Sequence, residues 1–203
     1  MLEHGPNPDE VYIKSSQKRY LATDKYGNLT CDSEETGEAE RFLLEYNEKG
    51  QWAFRSSPFS TYVGGEEDHV HCKSKSAEWW HIQLAIHPQV NLYNTNRKRY
   101  CHLAPAAADG ELPNEVHGCQ LIPWGSAAMI TLDYIDHKYA IKVSDGRYLH
   151  PDGSLQTPHD GALYTLQIKS GGLAFRASDG RFLTNIGATA TLKARNSKVT
   201  KDE

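Results

Sequence analysis

Three consecutive cations, Arg97, Lys98 and Arg99, are the residues of this chain best suited to binding a charged partner. They follow the turn-prone Asn-Thr-Asn run at 94–96, so we predict them at or beside the tip of a hairpin. Like charges at such short range repel one another, and an acidic partner would relieve that repulsion. The alternative interpretation from charge alone is a solvated turn.

A second group of cations lies near the end of the sequence, within ATLKARNSKVTKDE. A run of charge usually forms a solvated face, and the residues alone predict no more than that here. The cations are Lys193, Arg195, Lys198 and Lys201.

A third segment of interest is His87-Pro88-Gln89. Proline favours an extended conformation for the residue before it, so His87 is predicted to lie in a joint between two repeats of the chain. A linker with a hydrogen-bonded histidine explains the same residues.

Catalytic and metal-binding patterns are weak. His69 and His71 would share one face of a strand, but two ligands do not make a zinc site and a third is not identifiable nearby. Cys101 and His102 are adjacent on a predicted strand, so their side chains point apart and do not form a dyad. The sequence carries no nucleophile elbow, P-loop or dinucleotide fingerprint. We therefore predict no enzyme activity, no cofactor and no metal.

Composition limits the remaining possibilities. The 203 residues are 38% hydrophobic and 10% aromatic, which excludes a disordered chain. A net charge of −4 argues against a nucleic-acid partner, and the lack of a long apolar run argues against membrane insertion. The first residues do not resemble a signal peptide, and the four cysteines form no CxxC pair, so we predict free thiols and a cytoplasmic location.

The elements that must position these residues come from internal repeats. An alternating apolar strand, a turn, a basic residue and an aromatic recur five times, with two of the turns written Ser-Asp-Gly-Arg. Each repeat reads as about four short strands, which predicts an all-β protein. The marker aromatics are Tyr20, Tyr62, Tyr100, Tyr148 and Phe182.

The ordered set of motifs resembles the β-trefoil repeats of the fascins, a family of actin-bundling proteins. The resemblance covers the chain from about Val11, and the pairing of HPQVNLY with RKRY is its most specific part. The motifs are KRYLATDKYGNLTC, RFLLEY, YVGGEEDHVHC, HPQVNLYNTNRKRY, PWGSAAMITL and GRYLHPDG.

The resemblance implies one incomplete trefoil of two repeats at 1–88 and a second trefoil of three repeats, short of its closing strand, at 89–203. Unpaired strand edges would follow. A fragment of a longer chain is the favoured explanation, and strand exchange between two copies is the other, so monomer and strand-exchanged dimer both stay open.

The resemblance also implies a function. Binding and bundling of filamentous actin is expected, in the actin cytoskeleton of filopodia-like cell projections. The matching residues carried over as actin-binding are Arg97, Lys98, Arg99, His87, Gln89, Lys193, Arg195, Lys198 and Lys201.

The alternative function is that of a carbohydrate-binding trefoil. Lectin trefoils carry a Gln-x-Trp signature, but Gln51 stands directly before Trp52 without the gap. The four tryptophans are therefore expected in the core, although two adjacent ones cannot both point inward. They are Trp52, Trp79, Trp80 and Trp124.

Overall fold

The computed structural model describes residues 1–106, 111–169 and 171–199. These residues form strands and one single-turn 3-10 helix at Ser126–Ala128, so the all-β prediction is confirmed. The chain divides into two compact units. The first comprises Met1–Ile82 with Ile168–Gly172, and the second comprises Gln83–Gln167 with Leu173–Glu203.

The first unit contains a six-stranded antiparallel sheet in the order β1-β2-β5-β6-β7-β8 and a separate hairpin, β3–β4. An isolated antiparallel bridge joins Trp52, at the start of β6, to Trp80. The strands are β1 (Leu2–His4), β2 (Glu10–Ile13), β3 (Tyr20–Thr23), β4 (Leu29–Ser33), β5 (Arg41–Tyr46), β6 (Trp52–Ser56), β7 (Tyr62–Gly65) and β8 (Val70–Ser74).

The second sheet has the order β10-β11-β12-β20-β19-β18-β17-β14-β13-β9, with the hairpin β15–β16 attached to β14. Its strands are β9 (Gln89–Val90), β10 (Tyr93–Asn94), β11 (Arg99–Leu103), β12 (Val116–Gln120), β13 (Ile130–Ile135), β14 (Lys138–Lys142), β15 (Tyr148–Leu149), β16 (Leu155–Gln156), β17 (Leu163–Lys169), β18 (Gly172–Arg176), β19 (Phe182–Ile186) and β20 (Thr191–Asn196).

The marker aromatics occupy one structural position in all five repeats. Each lies at the start of the second strand of its repeat, where that strand enters a hairpin with the next. The Asp-Gly turns before two of them adopt the positive φ that glycine tolerates, 91° at Gly146 and 85° at Gly180. The strand-plus-hairpin repeat agrees with the trefoil repeat expected from the motifs.

The core is built from apolar residues at alternate positions of the strands. Tyr164 is fully buried and its hydroxyl donates to the Leu149 carbonyl oxygen at 2.9 Å, and burial raises the pKa of this tyrosine. In the second unit the packing leaves an apolar cavity of about 290 Å³. Aliphatic and aromatic side chains line most of it, among them Ile86, Val90, Leu132, Leu173, Phe175 and Leu192.

Hairpins within each unit contact one another through backbone groups. The Cys72 amide donates to the Gly27 carbonyl oxygen at 2.8 Å, and the Ala194 amide donates to the Pro151 carbonyl oxygen at 2.7 Å. Gly27 has a φ of 79°, and a Cβ there would lie 2.8 Å from the Cys72 carbonyl oxygen. Glycine is therefore required at position 27 both by conformation and by close approach.

The tryptophan prediction is correct for two residues and wrong for Trp124. Trp52 is buried, and Trp80 is half-buried with its Nε1 donating to the Val63 carbonyl oxygen at 3.2 Å. Trp79 is 40% exposed because adjacent side chains of an extended segment point to opposite sides. Trp124 is 72% exposed because it lies after β12, in a loop whose Leu121 and Ile122 are exposed as well.

In the part of the chain that the structure describes, no helix is long and apolar enough to cross a bilayer.

Candidate functional site

The cationic turn, defined here as Arg97, Lys98 and Arg99, joins β10 to β11. Tyr93 pairs with Tyr100 and Asn94 pairs with Arg99, so the cations lie at the end of a hairpin, as predicted. Lys98 has a φ of 53°, in the left-handed region that reverses the chain direction tightly.

The three cations do not share one role. Both terminal nitrogens of Arg97 donate to backbone carbonyl oxygens, Nη2 to Asn185 at 2.9 Å and Nη1 to Gly187 at 3.3 Å. Its own amide donates to Asn94 Oδ1 at 2.8 Å. Arg97 therefore fastens the cationic turn to the β19–β20 hairpin.

Lys98 and Arg99 are the outward members of the cationic turn. Lys98 is exposed, and Arg99 is half-buried with its Nη1 donating to the Lys98 carbonyl oxygen at 2.9 Å. The ammonium and guanidinium charges are therefore presented on a turn that the Arg97 hydrogen bonds attach to the rest of the unit.

A buried amide pair supports this arrangement. Asn94 Nδ2 donates to Asn185 Oδ1 at 2.8 Å, and Asn185 Nδ2 donates to the Ala190 carbonyl oxygen at 2.8 Å. Gly118 gives the Asn185 side chain its space, since a Cβ there would lie 2.3 Å from Nδ2. The sequence shows the turn preference of Asn94 but gives no signal for a partner on a distant hairpin.

The second group of cations lies on the same β19–β20 hairpin and beyond it. Lys193 and Arg195 are exposed on β20, alternating with buried Leu192 and Ala194, and Lys198 is exposed after the strand. Lys201 lies outside the described residues.

An acidic group lies beside these cations. The Glu115 carboxylate accepts from His117 Nε2 at 3.0 Å and from Thr191 Oγ1 at 3.1 Å. The hydrogen bond from His117 lowers the pKa of Glu115, with smaller contributions from the Thr191 hydroxyl and from the charge of Lys193. The potential near Lys193 is therefore partly neutralised within the protein.

Gln89 begins β9 and His87 lies two residues before it, and both side chains are exposed. The Gln89 amide donates to His87 Nδ1 at 3.2 Å, and the Pro88 carbonyl oxygen accepts from the Leu132 amide at 2.8 Å. The structure thus joins the cationic turn to the β19–β20 hairpin, whereas Gln89 belongs to a different strand pair, β9–β13, with His87 just before it.

The first repeat contains a matched turn with a different charge balance. Lys18 is exposed with a φ of 64°, and Lys18-Arg19-Tyr20 occupies the repeat position of Lys98-Arg99-Tyr100. The Arg19 guanidinium forms a 2.8 Å ion pair with Glu34 and donates to the Asp32 carbonyl oxygen at 2.8 Å. The turn geometry is repeated, while its positive charge is compensated.

The rings of His69 and His71 lie edge-on to one another, with centroids 6.1 Å apart. The two side chains therefore lie on the same side of the segment, as their spacing predicts. Within residues 1–106, 111–169 and 171–199, no three or more His, Cys, Asp or Glu side chains are grouped so that they could hold a metal ion.

Comparison with known proteins adds the family. The family model for the fascin domain matches residues 2–80 and 90–203. Fascin-2 of Bos taurus is 38% identical over 207 residues, and fascin-2 of Homo sapiens is 39% identical over 211 residues; each match covers 98% of this chain and 41% of the relative. Fascin of Strongylocentrotus purpuratus is 32% identical over 217 residues, covering 99% of this chain and 42% of the relative.

The chain spans about two fifths of the length of the curated relatives it matches. The matched residues include both compact units and every repeat found in the sequence. The repeats are accordingly β-trefoil repeats, and the chain belongs to the fascin family.

Proposed function

We propose that this chain binds filamentous actin through the cationic turn and acts in actin cross-linking without enzymatic activity. The fascins are an actin-bundling family, which supports the class of partner. The observation that carries the assignment of the site is the fixed geometry of the turn, in which Arg97 is bound to the β19–β20 hairpin and Lys98 is exposed.

The mechanism is electrostatic and steric complementarity. An actin filament presents an acidic surface, and a turn that is already ordered loses little conformational freedom on binding it. Lys98 and Arg99 supply the contact charges in this mechanism, and Arg97 is a positioning residue. Because the contacts are exposed ion pairs, the affinity falls as the salt concentration rises.

Two further contact regions belong to the proposal. Lys193, Arg195 and Lys198 form a second basic surface, and Lys201, which lies outside the described residues, is proposed to contact actin with them. His87 with Gln89 forms a third region at β9. We place the actin contacts of the second basic surface behind the cationic turn in importance, because Glu115 offsets part of the charge near Lys193.

Bundling requires two actin sites on one particle. We propose that residues 1–88 form an incomplete trefoil and residues 89–203 a second one, and that the chain alone binds filaments but bundles them poorly unless it dimerises by strand exchange. The proposed location is the cytoplasmic actin cytoskeleton, including filopodia-like projections.

High-speed co-sedimentation with filamentous actin tests the contact. Wild type is expected to pellet at low salt, and Lys98→Glu is expected to lower the apparent affinity about tenfold by reversing a contact charge. Lys18→Glu is the matched control, because it makes the same substitution at the same turn position of the first repeat. Equal binding by the two variants, or a folded wild type that stays in the supernatant, contradicts the proposal.

Low-speed sedimentation combined with light scattering tests the bundling statement. The monomeric fraction is expected to leave filaments unbundled. Efficient bundling by a particle with the mass of one chain shows that both actin sites lie within these residues, which is the opposite of the proposal.

A further inference from the structure

The β11–β12 hairpin brings a cysteine and a histidine together across its two strands. His102 Nε2 lies 3.3 Å from Cys119 Sγ, within hydrogen-bonding distance for sulfur. The strands pair His102 with His117 and Tyr100 with Gln120, and a register irregularity between these pairs places Cys119 beside the His102 ring. The partner of His102 is therefore across the hairpin and not the adjacent Cys101.

The second ring nitrogen fixes the tautomer of His102. Its Nδ1 lies 2.9 Å from the Leu103 carbonyl oxygen, which can only accept a hydrogen bond. In the neutral ring the proton is therefore on Nδ1, and the lone pair of Nε2 faces Cys119 Sγ. This is the arrangement in which an imidazole accepts the proton of a thiol.

A second histidine ring lies beside the pair. The His117 ring lies edge-on to the His102 ring, with centroids 6.1 Å apart. His117 Nε2 donates in turn to the Glu115 carboxylate at 3.0 Å, and Glu115 also accepts from Thr191. The charged and titratable groups that face His102 across the hairpin are thus Cys119, His117 and, behind His117, Glu115.

The four cysteines differ in their surroundings. Cys119 is exposed, whereas Cys72 and Cys101 are buried, and burial raises the pKa of Cys101 to about 11. Cys31 is half-buried, and its thiol donates to the Arg19 carbonyl oxygen at 3.4 Å. Cys119 combines exposure with a basic nitrogen, the two conditions for a reactive thiol.

We propose that Cys119 is a nucleophilic thiol, with His102 as its general base, and a site of covalent modification by soft electrophiles and hydroperoxides. The thiol proton passes to His102 Nε2. With hydrogen peroxide, the thiolate then attacks one oxygen and the O–O bond breaks. Sulfur is oxidised to sulfenic acid, and the departing hydroxide takes the proton from His102 and leaves as water. This proposal is independent of actin binding.

Alkylation of the folded protein by iodoacetamide, followed by mass spectrometry of each cysteine peptide, tests the proposal. At pH 7 Cys119 is expected to react first, and His102→Gln is expected to slow its alkylation about tenfold. At pH 10 the two proteins are expected to react at similar rates, since an ordinary thiol ionises at about pH 8.5 without help. Equal Cys119 rates at pH 7, or a rate difference that persists unchanged at pH 10, overturns the role of His102.

Two further variants separate chemistry from structure. His117→Gln changes the neighbouring ring, which does not contact the sulfur, and is expected to keep the fast rate. Cys119→Ser is expected to remove both the early iodoacetamide adduct and the dimedone-reactive product formed with hydrogen peroxide. If His102→Gln does not fold, the wild-type rate profile decides alone. A plateau extending below pH 8 supports the pair, and a single rise centred near pH 8.5 contradicts it.

Discussion

The side-chain amide of Asn94 donates to the side-chain oxygen of Asn185 at 2.8 Å in a buried site that joins residues 91 positions apart in the chain. Asn94 begins the turn that carries Arg97, and the Asn185 backbone oxygen accepts from the Arg97 guanidinium. One residue of the β19–β20 hairpin therefore holds both Asn94, at the end of β10, and Arg97, the first residue of the cationic turn.

Asn185→Ala removes the side-chain oxygen that accepts from the Asn94 amide, while the backbone oxygen that accepts from Arg97 remains. The free energy of unfolding is expected to fall by about 1–3 kcal/mol, and the actin affinity is expected to fall with it, because the turn loses one of its attachments to the β19–β20 hairpin. Urea denaturation and co-sedimentation measure the two effects. Asn28→Ala, which removes an exposed asparagine bonded to Asp24, is the control and should change neither by much. Unaltered stability in Asn185→Ala contradicts the assigned role.

Lys98→Gly separates binding from stability at one residue. Glycine adopts the positive φ of this position without strain, so stability is expected to stay constant or to rise by up to about 1 kcal/mol. The contact charge is lost, so the actin affinity is expected to fall. Lys18→Gly makes the same backbone change and is expected to leave actin binding intact. A loss of binding in both variants would assign the effect to the shared turn conformation.

The architecture was predictable from the sequence because the turn residues and the apolar pattern of each repeat specify the hairpin within that repeat. The Asp-Gly turns, the period-two apolar pattern and the marker aromatics identify the second strand of every repeat, and the structure places them there. The attachment of Arg97 was not predictable, because hydrogen bonds to the Asn185 and Gly187 carbonyl oxygens depend on how separate hairpins meet. The Cys119–His102 pair was missed for the same reason, as it follows from strand register and not from adjacency.

Asp145 and Asp179 belong to the two Ser-Asp-Gly-Arg turns, so the pH dependence of stability can be compared between two copies of one motif. The hydrogen bond from the Arg147 guanidinium lowers the pKa of Asp145, and that from the Arg181 guanidinium lowers the pKa of Asp179. A lowered folded-state pKa contributes stability above the unfolded value, and this contribution is lost as the pH falls through the folded value, below about 4.

Asp145→Asn is therefore expected to lower the free energy of unfolding by about 1 kcal/mol at pH 7 and by progressively less below about pH 4. Asp179→Asn is expected to cost less, because the Arg181 side chain is 50% exposed and the Arg147 side chain only 19%. Urea denaturation at pH 7, 5 and 3 measures both. A cost for Asp145→Asn that does not change with pH shows that the carboxylate charge is not the source of the stability.

Gly27→Ala tests the close approach of two hairpins in the first unit. A methyl group there meets the Cys72 carbonyl oxygen, and the backbone φ is positive. Gly146→Ala has the same positive φ but an open space around its Cβ, so it measures the conformational cost alone. We expect the free energy of unfolding, measured by thermal or urea denaturation, to fall by about 1 kcal/mol in Gly146→Ala. In Gly27→Ala we expect it to fall by about 1–3 kcal/mol more. Equal costs mean that the hairpins can separate without penalty.

The recurrence of one turn in five repeats has a consequence for how such a protein can change its partners. The turn at Lys18 and the turn at Lys98 share their backbone shape and differ in whether nearby acids neutralise them. The first repeat has Gln17 where the later repeat has Arg97, so Gln17→Arg together with Glu34→Gln is enough to give the turn at Lys18 the positive charge of the turn at Lys98 without altering the scaffold. Substitutions that change only the charge of a turn can therefore move a binding surface from one repeat to another during evolution. The backbone conformation of the turn is already present in each repeat.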